Sequence, residues 1–182
     1  WMIGVDEAGY GPNLGPLCIA ATAWRTEKRG QVHFCDSENR PVPFIADSKL
    51  LYKPGKGLAT LELGVLGSLG AVPQSYQELV EWTGADPEDR RSDLPWYRDY
   101  DCSLPVDASR EDVCRAASQL LDGCKQAGIC LEMVRACMVF PPEFNDSVDR
   151  YGTKGAALSH ISIGLVRQLV DQVKSQADDS PI

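Results

Sequence analysis

Two adjacent carboxylates, Asp6 and Glu7, close the apolar run Met2-Ile3-Gly4-Val5, and Gly9, Gly11, Pro12, Gly15 and Pro16 follow at once. Side chains of this kind are hard-oxygen ligands. Two acids brought close repel, and each resists ionising beside the other until a divalent cation such as Mg²⁺ or Mn²⁺ lies between them. Neighbours in a regular strand point to opposite faces, so convergence requires the glycine bend to fold Glu7 back toward Asp6. The glycines make a tight turn, or a stretch of bare backbone able to lie against a phosphate or sugar. They fit neither common nucleotide motif: G-x-G-x-x-G needs glycine at position 14, which is Leu14, and Lys56-Gly57-Leu58 lacks the G-K-[ST] ending. Asp47-Ser48-Lys49 adds a loop lysine, either a phosphate contact or a solvated side chain.

The elements that must carry these residues can be read along the chain. Residues 2–6 favour a strand, and 17–24 form a continuous apolar run fit for a buried one. Residues 31–35 alternate polar and apolar, which predicts a third strand in an antiparallel meander. Residues 56–69 carry leucines at roughly helical spacing, weakened by Gly57, Gly64 and Gly67, and 74–82 make a shorter helical candidate. Residues 84–108 are dense in Asp, Arg, Pro and Tyr and read as an irregular insertion, too aromatic around Leu94-Pro95-Trp96-Tyr97 to stay solvated. Ser109-Arg110-Glu111-Asp112 then opens a helix with an apolar stripe at 113, 116, 117, 120 and 121, which Gly128 ends. Residues 129–140 predict a strand stopped by Pro141-Pro142, and from Thr153 a long helix presents 158, 161, 165, 166, 169 and 173 on one face. The order βββ-α(α)-α-β-α predicts an α/β sandwich on a mixed sheet.

The 182 residues imply one domain, with an insertion at about 70–108. A net charge of −8 argues against a surface coated in base for nonspecific polyanion binding, while leaving room for a local basic groove. No apolar stretch approaches the roughly 20 residues of a membrane span, and Asp6 and Glu7 interrupt the only N-terminal apolar run, so no membrane partner or signal peptide is expected. Seven cysteines, an odd number without a C-x-x-C pair, read as reduced thiols of a cytoplasmic protein; with only His33 and His160 to help them, zinc is not expected. Trp1-Met2 at one end and Asp178-Asp179-Ser180-Pro181-Ile182 at the other do not read as natural termini, and a fragment is expected.

Four stretches together resemble the type 2 ribonuclease H family, which includes ribonucleases HII and HIII. Asp6-Glu7-Ala8-Gly9-Tyr10-Gly11-Pro12 is similar to its D-E-A-G-R-G-P signature, and Leu14-Gly15-Pro16-Leu17 continues it. Asp47-Ser48-Lys49-Leu50 resembles D-S-K-K-L. Phe140-Pro141-Pro142-Glu143-Phe144-Asn145 and then Gly155-Ala156-Ala157-Leu158-Ser159-His160 resemble the strand–P-x-x-[FY]-N–helix passage of the HIII branch, while residues 70–130 match poorly. The resemblance implies a ribonuclease H-like mixed sheet, an antiparallel meander plus a following parallel strand, flanked by helices, with the last strands beyond this chain. It implies hydrolysis of RNA in RNA–DNA hybrids, or of the bond beside a ribonucleotide embedded in duplex DNA, by four carboxylates and two Mg²⁺ or Mn²⁺ ions. In that picture Asp6 and Glu7 are catalytic metal ligands, the Gly9-Tyr10-Gly11 backbone reads the ribose 2′-OH, Lys49 holds a phosphate with Ser48 nearby, and Asn145 either contacts the site or caps a turn.

Two departures qualify the picture. Tyr10 stands where the signature has arginine; it cannot form the bidentate phosphate fork, though it can stack on a base or sugar. The family's third and fourth carboxylates follow the long helix, where this chain stops, and Asp178 and Asp179 read as solvated helix-end residues. Two carboxylates alone would hold Mg²⁺ weakly, so activity is expected of the full-length protein. His160 reads as a packing or surface residue, and Lys154 as a candidate phosphate contact. A noncatalytic hybrid- or ribonucleotide-binding relative, and a structural domain that engages a partner through Trp96-Tyr97, are the competing expectations.

Overall fold

The structure is a computed structural model; it describes residues 1–8, 15–26, 42–52, 54–85, 94–95 and 97–178. The chain divides into two compact units: Trp1–Trp24, Val80–Pro95 and Glu132–Ile182 form one, and Arg25–Leu79 with Trp96–Leu131 form the other.

The first unit is built on a sheet. Strand β1 (Met2–Ala8) pairs antiparallel with β2 (Leu17–Thr26) along its full length, from Met2 opposite Trp24 to Ala8 opposite Cys18. Strand β3 (Ile129–Val139) lies on the other side of β2, giving an open three-stranded antiparallel sheet of order β1–β2–β3, flanked by helices in a mixed α/β fold. This corrects the expectation of a parallel strand after the meander. A single crossover helix would impose parallel pairing, but residues 27–128 separate β2 from β3, and so long a connection can return to either end of the sheet. The strand expected at 31–35 lies outside the described residues, as does the aromatic residue Trp96.

The apolar run of β2 is buried on one face rather than two. Leu17, Ile19, Ala21 and Ala23 are buried and alternate with partly covered or exposed neighbours, as the twofold period of a strand requires. The covering layer comes from the long helix. Pro141 and Pro142 do not merely stop β3: they start helix α5 (Pro141–Tyr151), which precedes α6 (Lys154–Asp178). Proline suits a first turn, where its missing N–H costs nothing, and the Glu143 carboxylate accepts the Phe140 N–H at 3.1 Å. Gly152, at φ 82, reverses the chain, and Thr153 caps α6 by accepting the Ala156 N–H at 3.1 Å. Leu165, Leu169 and Val173 of α6 then pack with Ile19, Ala21, Ala23, Met133 and Val139, which is the face that the spacing predicts. Arg135 of β3 fastens the layer by donating to the Gln172 side chain at 3.1 Å and to the Trp82 carbonyl at 3.3 Å.

The second unit holds α1 (Ser48–Leu51), α2 (Ala59–Ser68) and α4 (Arg110–Ala127), with α3 (Tyr76–Thr83) entering from it. Ser109 accepts the Asp112 N–H at 3.0 Å and Gly128, left-handed at φ 69, ends α4, both as its sequence foretells. Gly64 and Gly67 weaken α2 as an isolated helix but permit its packing. A Cβ at Gly64 would sit 2.6 Å from the Phe44 carbonyl oxygen, and one at Gly67 would sit 3.2 Å from the Ala117 nitrogen. Val42, Phe44, Ala116 and Leu120 form a buried cluster in this unit, with Ile45 and Leu63 against it. No helix among the described residues is long and apolar enough to cross a membrane.

Candidate functional site

Asp6 and Glu7 are both exposed near the end of β1, and Asp6 Oδ1 accepts the Glu7 N–H at 3.0 Å. Pairing sets Asp6 opposite Ala20 and Glu7 opposite Ile19. Directly paired residues share a face, so Glu7 emerges on the side of Ile19, Ala21 and Ala23, and Asp6 on the other. The ladder continues to Ala8, so both residues lie within the regular strand and do not share a face. Gly9, Tyr10 and Gly11, expected to read a ribose, lie outside the described residues.

The chemistry this allows is limited and specific. Asp6 presents one oxygen to its own backbone neighbour, and among the described residues nothing donates to the other carboxylate oxygen. Among the described residues no group of three or more His, Cys, Asp or Glu side chains is placed to hold a metal ion. The described donors therefore do not fit a complete Mg²⁺ or Mn²⁺ set, which needs further oxygens beside Asp6.

The other expected contacts fall on separate elements. Asp47 caps the short α1 by accepting the Lys49 N–H at 2.8 Å, so the local shape of Asp47-Ser48-Lys49 is a capped turn. Ser48 and Lys49 are exposed on it, in the second unit. Asn145 is exposed within α5, in the first unit, and does not cap the long helix; Thr153 has that role. Lys154 is exposed in the first turn of α6, and Asp178 is its last helical residue.

Two arrangements escaped the sequence reading. Tyr151, at the end of α5, stacks on His160 of α6 with ring centroids 3.8 Å apart and planes 12° from parallel, and the Arg150 guanidinium carbon lies 5.5 Å from the Tyr151 centroid. The proline pair followed by Glu143 was the available signal, because it announces the helix that brings Tyr151 to the corner. The second is Glu62, 8% exposed, whose carboxylate accepts the N–H groups of Val106, Asp107 (2.9 Å) and Ala108 (2.8 Å). Asp107 answers by accepting the Leu58 N–H at the start of α2 at 2.5 Å. No sequence spacing announces a clasp between residues so far apart.

Cys18, Cys102, Cys114, Cys124, Cys130 and Cys137 are not joined in disulfides. Burial, with a smaller contribution from Cys137, pushes the Cys18 thiol above its ordinary value, and burial with Cys130 does the same to Cys124. The shift disfavours the nucleophilic thiolate at both positions. Near the expected aromatic surface, Tyr76 and Tyr100 meet edge to face at 5.3 Å, and Tyr100 is held protonated more firmly chiefly by its hydrogen bond with Cys102.

Comparison with protein-family models, with curated proteins and with solved structures finds no significant match for this chain.

Proposed function

We propose that the protein is a metal-dependent endoribonuclease of the ribonuclease H type, acting on RNA–DNA hybrids or on ribonucleotides embedded in duplex DNA. The observation that carries this reading is the β1–β2 pair. It delivers two solvent-exposed carboxylates at a strand end, immediately before the glycine- and proline-rich segment whose sequence resembles the type 2 signature. Asp6 is the residue on which the reading depends most. Glu7, Tyr10 and the backbone of Gly9 and Gly11 come next, with Ser48, Lys49 and Asn145 as substrate contacts. Mg²⁺ or Mn²⁺ is the expected cofactor, and the cytoplasm the expected compartment.

One observation favours a second reading. Asp6 and Glu7 emerge on opposite faces of β1, as suits a relative that binds hybrids or ribonucleotides without cutting them. The two readings separate in one assay. The protein at its natural full length, given Mn²⁺ and a duplex with a single ribonucleotide, is expected to nick that strand and to spare the all-DNA duplex. EDTA should stop the reaction. Tight binding without nicking in either metal would favour the noncatalytic relative. Equal binding of all-DNA and ribonucleotide duplexes, again without nicking, would reject both.

A further inference from the structure

We propose that the corner between α5 and α6 is a nucleic-acid contact, with Arg150 and Lys154 meeting backbone phosphates and the Tyr151–His160 stack receiving a sugar or an unpaired base; it rests on the duplex substrate proposed above. Four observations converge there.

Charge comes first. The chain carries −8 overall, yet from Lys154 to Val170 it contains no Asp or Glu, so four turns of α6 present only Lys154, His160 and Arg167 as ionisable groups. Second, the corner's cations carry no paired acid among the described residues: Arg150 lies over the Tyr151 ring. Among the described residues Arg150 and Lys154 make no ion pair, although Asp146 and Asp149 precede Arg150 on α5. Other arginines are engaged: Arg115 with Glu111 and Asp112, Arg167 with Asp171 at 3.9 Å, and Arg110 with the carbonyls of Leu104 and Val72. Third, exposed His160 lies flat on half-buried Tyr151, a π surface of the kind that accepts bases without regard to sequence. Fourth, there is room beside the turn: a Cβ at Gly152 or Gly155 would meet no described atom within 4 Å. Cations beside a flat aromatic surface match an anionic strand that carries sugars and bases, better than they match a featureless anionic surface.

The test measures fluorescence anisotropy of a labelled duplex containing one ribonucleotide, in EDTA, across a salt series. The Arg150→Gln/Lys154→Gln variant should bind more weakly than wild type. The slope of log affinity against log salt should flatten by about 1–2, the loss expected from two phosphate contacts. His160→Ala should weaken binding of a single strand roughly fivefold or more, with a smaller effect on duplex. All three substitutions are at exposed positions, and an unchanged Tm shows that the fold is intact. Wild-type affinity and slope in the double variant would overturn the inference. So would a wild type that binds no nucleic acid, or a double variant that loses only its binding to phosphatidylserine vesicles. Nicking is scored separately: nicking with unchanged binding in the double variant removes this contact alone, and binding through the corner without nicking removes the nuclease reading alone.

Discussion

Asp6 and Glu62 each stand near an end of a secondary-structure element, and the molecule treats them in opposite ways. Glu62 is nearly buried in the second unit and accepts three backbone N–H groups from residues 106–108, while Asp107 in turn holds the start of α2. A buried carboxylate needs such partners, and with them it locks two distant segments together. Asp6 is exposed on β1 in the first unit, and its hydrogen bond to the Glu7 N–H is purely local. The contrast separates an acid that holds the fold from one that the fold leaves accessible, and only the second kind can serve a substrate or cation.

Experiments can break or sharpen that contrast, starting with the largest effect. Glu62→Ala strands three N–H donors and should destabilise the protein by about 3 kcal/mol in urea unfolding. Amide exchange at Val106, Asp107 and Ala108 should accelerate with it; unchanged exchange there would mean the clasp is not formed in solution. Gly64→Ala forces a methyl toward the Phe44 carbonyl that lies 2.6 Å from its ideal position, for an expected loss of about 1–3 kcal/mol. Ser109→Ala removes the α4 cap at a cost of about 1 kcal/mol, read from the shift in Tm. A milder test follows thiol alkylation against pH. Exposed Cys114 and Cys130 should react first, whereas Cys18 and Cys124, whose thiols are pushed up by burial, hold less thiolate at a given pH and should lag until the pH is raised.

The sequence made some of this legible for plain physical reasons. The stripe of α6, the Ser109 cap, the Gly128 stop and the strands at β1, β2 and β3 are all local signals, and each appears where its residues place it. The proline pair does end the strand, but helix α5 is not legible from it alone, because its second meaning, a helix start, shows only when Glu143 is taken with it. The direction of β3 was not legible, since strand direction after a long excursion depends on tertiary packing rather than on nearby residues. The glycines of α2 looked like flaws because propensity is local, whereas the close approach of Phe44 and α4 is not. For the candidate site, the adjacent acids and the capped Asp47-Ser48-Lys49 turn were visible. The opposite facing of Asp6 and Glu7 follows from the regular ladder running through Ala8, which fixes where the strand ends.

The most direct measurement is Asp6→Asn in the full-length protein, read for stability and for nicking together. Because Asp6 is exposed and its hydrogen bond among the described residues is local, the substitution should change stability by no more than about 0.5 kcal/mol while abolishing Mn²⁺-dependent cleavage at an embedded ribonucleotide. Wild-type cleavage by the variant, or a stability loss as large as that of Glu62→Ala, would contradict the account.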